Sequence, residues 1–217
     1  MNLYEHIIWD WNGTLLNDVD LCVAIVNDML SVHHQTVGEE VSHEHYRNIF
    51  DFPVIQYYER VGFDFNKESF DDLCGKFIGA YRSRATELKL HNEVVKVLSS
   101  IEGAGFHQSI LSAAKQDGLR EMVQEHQVDH FFQHVIGEND HYANGKVFNG
   151  KQLRNTLKES NHHKLLLIGD TTHDFEVAQA MEADCILIAH GHHSHQKLQQ
   201  TGAKVVDSLE ELISVIV

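Results

Sequence analysis

No apolar run in this chain approaches the roughly 20 residues that a membrane-spanning helix needs, so no membrane partner is expected. Basic residues are scarce. Against 32 Asp and Glu stand 17 Lys and Arg, giving a net charge of −15. A phosphate backbone demands a basic surface, so nucleic acid is excluded as an expected partner. Cysteine is confined to Cys22, Cys74 and Cys185. They are odd in number, widely spaced and set in apolar-rich segments, which excludes a disulfide scaffold or a thiolate metal site and reads as reduced core thiols. Proline occurs once, as Pro53, and no low-complexity linker or internal repeat breaks the chain. The basic, apolar and small-residue regions of a secretion signal are missing from the N-terminus. The expected location is therefore cytoplasmic, and the expected state a monomer or homodimer.

What is present fits one core with an inserted subdomain: 217 residues, 42% hydrophobic, enough to bury a sizeable interior. Residues 4–10 read as a buried strand. From about Asp18 to Glu87 the apolar spacing is helical, as in Val19, Cys22, Val23, Val26 and Met29, and again in Phe70, Leu73, Phe77 and Tyr81. Pro53 suits the first turn of a helix through Val61. Beyond residue 88, strands at 109–111, 134–136, 165–168, 185–188 and 205–206 alternate with helices at 94–101, 117–126, 152–159, 174–181 and 209–216. That alternation predicts an α/β fold, a doubly wound parallel sheet with helices on both faces.

Polar groups stand at the carboxyl ends of these strands. Asp10 ends the first, Ser112 follows Ile110-Leu111, Lys146 lies in the loop after the third, and Gly169-Asp170 with Asp174 follow Leu165–Ile168. In a parallel sheet these edges converge on one crevice. Each group also has a plain structural reading. Asp10, Ser112, Asp170 and Asp174 could cap helix starts, and Lys146 could be a solvated loop lysine. It is the combination, in this order, that points to chemistry.

On the motifs Asp10-Trp11-Asn12-Gly13-Thr14-Leu15, Ile110-Leu111-Ser112, Lys146 and Gly169-Asp170-Thr171-Thr172-His173-Asp174, the chain resembles the haloacid dehalogenase superfamily hydrolases, of the phosphoglycolate-phosphatase-like type. The resemblance spans the whole chain. It implies a Rossmann-like parallel-sheet core at residues 1–16 and 88–217 with an α-helical cap inserted at 17–87, hinged near 16–18 and 86–90. It implies Mg2+-dependent hydrolysis of a small phosphorylated metabolite, with Asp10 as nucleophile forming an aspartyl-phosphate. Ser112 and the backbone of the loop around Gly13 and Thr14 would hold phosphoryl oxygens, and Lys146 would neutralise charge. Asp10, Asp170, the Asn12 backbone carbonyl and Asp174 would supply oxygens to Mg2+. The cation would also let so acidic a chain receive an anion.

Several positions stay open. Lys151 competes with Lys146 for the lysine role, and Lys146 is preferred for its spacing to Asp170. Position 12 holds Asn where the family's phosphatases carry an acid/base Asp. An amide cannot trade a proton in the usual pH range, and losing such a group typically costs on the order of 10²–10⁴-fold. Three readings follow: a phosphohydrolase with another acid/base such as His173, a phospho-switch with a long-lived aspartyl-phosphate, or a catalytically weak binding protein. The Asn12-Gly13 pair also suits deamidation, which would restore Asp. Arg47 is the favoured cap residue for gripping the substrate, with Tyr57, Tyr58 and Arg82 beside it. The run His190-Gly191-His192-His193-Ser194-His195 reads as solvated loop histidines in preference to a metal site, and His33-His34 and His162-His163 as solvated helix ends.

Overall fold

A computed structural model describes residues 3–34, 40–138 and 145–216. Strand β1 (His6–Trp9) is fully buried and leads through the loop at Asp10–Leu15 into β2 (Leu16–Asn17). Four helices follow: α1 (Val19–His34), α2 (His43–Ile49), α3 (Val54–Val61) and α4 (Phe70–Arg84). Pro53 stands at the cap position just before α3. The chain returns through β3 (Lys89–Leu90), which pairs antiparallel with β2, Leu16 opposite Leu90 and Asn17 opposite Lys89. The two ends of the helical segment are thus tied side by side.

The remainder alternates: α5 (Val94–Gly103), β4 (His107–Lys115), α6 (Gln116–Glu125), β5 (His134–Glu138), α7 (Lys146–Glu159), β6 (Leu165–Gly169), α8 (Thr172–Ala180), β7 (Asp184–Ile188), α9 (His195–Gln199), β8 (Lys204–Val206) and α10 (Leu209–Ile216). The sheet order is β5-β4-β1-β6-β7-β8, and every neighbouring pair is parallel. This is the expected α/β Rossmann-like sheet. Because successive strand residues face opposite sides, Ile7, Trp9, Ile110 and Ile168 pack under α5, α6 and α10, while Ile8, Leu111 and Leu167 pack under α7 and α8. The helical segment has its own apolar cluster, built on Val19, Val23, Val26, Tyr46, Tyr57, Tyr58 and Leu73. Among the described residues no helix is long and apolar enough to cross a membrane.

Two local expectations need correction. Lys146 is not a loop residue. It opens α7, which begins six residues earlier than the apolar spacing suggests: Lys146 is buried with its ammonium on Asp10 and Asp174, and Val147 packs against the core. His33 is not solvated: its side chain is buried against Phe63, and its Nε2 accepts the Asp64 N–H at 2.9 Å. The side chain of His34 and residues 140–144, read as a loop approaching the site, lie outside the described residues.

Candidate active site

Strand β1 runs between β4 and β6 at the centre of the sheet, where the chain reverses its direction of winding, and its carboxyl end opens into a crevice. Asp10 sits there, its N–H donated to Ile168 O at 2.8 Å. Ser112 lies on β4, where the register with β5 shifts between Leu111 and Lys115. Such irregularities re-aim a side chain at a sheet edge. The Ser112 hydroxyl accepts the Ala114 N–H at 3.1 Å and does not cap α6, whose cap position is Lys115. Asp174 caps α8 reciprocally with Thr171, so the capping reading and the site reading hold together for it.

Lys146 is buried and donates to both Asp10 Oδ1 and Asp174 Oδ1, the latter at 2.5 Å. Lys151 is exposed, so the structure brings only Lys146 to these carboxylates. Thr14 Oγ1 donates to Asp170 Oδ1 at 2.7 Å and lies 3.3 Å from Asp10 Oδ2. Gly13 has φ +76°, and a Cβ there would collide with the Asp170 carboxylate and the His192 ring. Glycine is what lets this loop close onto β6.

Asp10, Asp170 and Asp174 are all buried, and an oxygen from each lies within 4.8 Å of the others. Burial, with Asp174 and Asp170 adding like charge, pushes the Asp10 carboxyl up to about 8 against the pull of Lys146. Burial likewise lifts Asp170 to about 6, opposed chiefly by His192. Asp174 is held below the ordinary carboxylate range by Lys146 and Thr171, despite its burial. Three crowded oxygen donors with one lysine are short of positive charge. That donor set and that shortfall fit a hard divalent cation such as Mg2+.

A second polar group adjoins this one, and the sequence reading missed it. Asp18, just before α1, accepts from Asn12 Nδ2 (2.8 Å), Gly13 N–H (2.9 Å) and Tyr81 Oη (2.7 Å), and pairs with His192 Nε2 at 3.2 Å. His192 Nδ1 meets Tyr46 Oη at 2.8 Å, and its backbone N–H is donated to Asp170 Oδ2 at 2.6 Å. Although burial disfavours its charge, Asp18 and Asp170 raise His192 to about 9. His190 stacks on His91 at 3.8 Å, and these two rings bond the carbonyls of Thr14 and Gly13. His192 and His193 are buried. His190, His192 and His193 are therefore part of the frame behind the site and not solvated, while His195 stays partly exposed beside Asp207. Asp18, Cys22 and His192 do place ligand-type atoms within 4.8 Å of one another, but Asp18 and His192 are already bound to each other.

Arg47 also departs from expectation. Its guanidinium donates to His190 O at 3.2 Å and its carbonyl accepts Ser194 N–H at 3.1 Å, fastening α2 to the loop before α9. It does not line the cavity over the site, whereas Arg82 does. That cavity encloses about 620 Å3. Its floor is Asp10, Asn12, Ser112, Lys146 and Asp174. Its walls include Phe50, Phe52, Tyr57, Tyr58, Phe77 and Tyr81. His173 lines it too, with Nδ1 on Glu176 at 2.9 Å and Nε2 buried without a hydrogen-bond partner.

The model of the haloacid dehalogenase-like hydrolases matches residues 7–188. The chain is 23% identical to a phosphoglycolate phosphatase of Vibrio parahaemolyticus, over 97% of this chain and 95% of that one. It is 24% identical to one of Aliivibrio fischeri with the same coverage. A predicted phosphatase from Clostridium acetobutylicum superposes with a TM-score of 0.77 at 20% identity, covering 98% of both chains. At that identity the likeness concerns the fold.

Proposed function

The chain belongs to the haloacid dehalogenase-like hydrolases, and from that premise we propose that it is a Mg2+-dependent phosphatase of a small phosphate monoester. The observation that carries the proposal is the convergence of Asp10, Ser112, Lys146 and Asp174 on the floor of one cavity at the carboxyl edge of the sheet, with Asp170 buried beside them. In this reading Asp10 attacks phosphorus. A bond forms between its carboxylate oxygen and phosphorus, the ester P–O bond breaks, and the leaving oxygen takes a proton from water, since Asn12 has none to give, and departs as the alcohol. Water then attacks the aspartyl-phosphate and frees inorganic phosphate. Ser112 and the N–H groups of the Asn12–Thr14 loop hold the phosphoryl oxygens, and Lys146 offsets their charge. Asp10, Asp170, Asp174 and the Asn12 carbonyl would hold Mg2+, which when bound would offset the negative charge of the carboxylates and of the incoming phosphate.

The helices of residues 17–87 act as a cap that keeps bulk water from the reacting groups. Phosphoglycolate, the substrate in the relatives' name, is compact and doubly acidic. A cavity of about 620 Å3 walled by Phe50, Phe52, Tyr57 and Phe77 suits an ester with a larger, less polar body.

A second reading draws on Asn12, which has no proton to trade: a long-lived aspartyl-phosphate or a binding protein. Deamidation is no escape from it. Cyclisation needs the Gly13 nitrogen free, and that N–H is held by Leu16 O and Asp18 Oδ1, both at 2.9 Å.

The test is phosphate release from a panel of monoesters with and without Mg2+, for wild type and Asp10→Asn, beside intact-protein mass spectra after exposure to each ester. Turnover that needs both Mg2+ and Asp10 is expected. A stable phosphoryl adduct without turnover would favour the switch, and neither turnover nor adduct would favour the binding protein.

A further inference from the structure

The amide of Asn12 is held in one orientation. Both of its N–H bonds are accounted for, one to Asp18 Oδ2 at 2.8 Å and one to Tyr81 Oη at 2.9 Å. The Tyr81 hydroxyl gives its own proton to the same Asp18 oxygen at 2.7 Å, so it can only accept from Asn12. A carboxylate has nothing to donate, so the nitrogen and not the oxygen of Asn12 must face Asp18. The Asn12 Oδ1 is thereby turned toward Ser112, 3.5 Å from its Oγ, on the cavity floor.

We propose that Asp18 and Tyr81 are positioning residues that present the carbonyl oxygen of Asn12 to the cavity, and that positions 12 and 18 form an exchanged amide–carboxylate pair to which this site is adapted. Its geometry stands alone, while its chemistry rests on the phosphatase reading. There, Asn12 Oδ1 accepts a hydrogen bond from the water or hydroxyl beside the phosphoryl group and orients it without transferring a proton. The proton itself passes to solvent or to another base.

The pairing makes a prediction opposite to that of simple motif repair. With Asn12→Asp alone, a carboxylate oxygen replaces the amide nitrogen 2.8 Å from Asp18. Two like charges, one buried at 18 and one half-buried at 12, then share the single Tyr81 proton. Adding Asp18→Asn reverses the bonds among residues 12, 18 and 81 without moving an atom far, and leaves the Gly13 and His192 contacts to Oδ1 of residue 18 in place. The new amide nitrogen at 18 donates to the carboxylate at 12, its oxygen still accepts from Gly13 N–H, and Tyr81 turns its proton to position 12.

The experiment compares wild type, Asn12→Asp, Asp18→Asn, the double variant and Tyr81→Phe. Thermal melts are read together with kcat and KM for p-nitrophenyl phosphate in Mg2+. Asn12→Asp is expected to lower Tm and to cut kcat by roughly 10²-fold, the scale of a misplaced group in a site, with a smaller change in KM. The double variant is expected to regain most of both, a coupling that independent sites do not show. Tyr81→Phe should lower kcat more than it raises KM. Wild-type kcat or better from Asn12→Asp with an unchanged Tm, or losses in the double variant equal to the sum of the single ones, would overturn the proposal. If wild type turns over no ester, the phosphatase reading falls while the four melts still decide whether 12 and 18 are a pair.

Discussion

The two ends of β1 bury titratable groups in different company. At the amino end His6 is fully buried, 2.8 Å from Ser109 Oγ and 3.2 Å from His162 Nδ1, with His107 and His162 stacked beside it at 4.6 Å. Burial, with His162, His107 and His134 adding like charge, drives it down to about 3. Just past the carboxyl end, Asp10 is nearly as buried and is likewise pushed toward its neutral form, to about 8, but the ammonium of Lys146 beside it holds Asp174 below the ordinary carboxylate range. Burial alone discharges a group. Only where partner charges are built in does the fold keep ions out of water, and keeping them there costs stability that function must justify. The contrast sets a neutral histidine stack apart from a cluster that keeps an ion pair buried.

The hardest way to break this comparison is to remove the cation. Lys146→Ala leaves three buried carboxylates without their lysine. It should cost about 3–5 kcal/mol of stability in chelator and abolish phosphate release, whereas exposed Lys151→Ala should stay within about 0.5 kcal/mol. Equal losses in urea melts of the two variants would erase the distinction between them.

A milder probe is Mg2+ itself. Asp170 and Asp10 are acids lifted to about 6 and 8 from an ordinary 3.8. Folding therefore takes up protons, and their contribution to stability is fullest at low pH and lost as pH rises through those values. Mg2+ must displace these protons to bind. Its stabilisation should reach about 2.7 kcal/mol at a hundredfold excess over Kd at pH 8 and shrink toward pH 5. Differential scanning at both pH values checks this, and a Mg2+ effect that grows toward pH 5 would contradict it.

The smallest effect lies at the other end. His6 is lowered from 6.5 to about 3. Its contribution is complete above pH 6.5 and lost as pH falls toward 3, at up to about 1.4 kcal/mol per pH unit. His190 and His193, lowered to about 4 and about 3 by burial, add to the same acid limb. His6→Gln should flatten the decline of urea stability between pH 6.5 and 5, and a slope unchanged by the substitution would show that His6 does not drive it.

The sequence made the sheet legible because its strands are apolar runs, and it brought Asp10, Ser112, Asp170 and Asp174 to notice because they follow such runs, whereas Lys146, well beyond its strand, was picked out by its spacing to Asp170. The pair β2 and β3 carries no signal of its own, since two residues have no period and pair only because the helices between them bring them together. Asp18, Tyr81 and His192 escaped for a related reason. Asp18 and Tyr81 are 63 positions apart, lie on different helical elements, and each alone reads as a helix start or an apolar stripe. His192 was hidden by its neighbours, because a run of histidines looks solvated until a carboxylate is known to face it. The first helical bond of α1, Cys22 N–H to Asp18 O at 2.9 Å, would have marked Asp18 as a cap and nothing more.

The antiparallel contact of Leu16 with Leu90 and Asn17 with Lys89 makes the helical insertion a cassette. Its entry and exit stand one strand spacing apart, about 4.8 Å, so a tight turn could replace everything between them without stretching the sheet. A protein trimmed in this way would keep Asp10, Ser112, Lys146 and Asp170, which belong to the sheet, its own loops and α7. It would lose Asp18 and Tyr81, and with them the grip on Asn12. Exchanging one such cassette for another in evolution would change more than the size of the ligand admitted. It would also reset which atom of residue 12 the ligand meets.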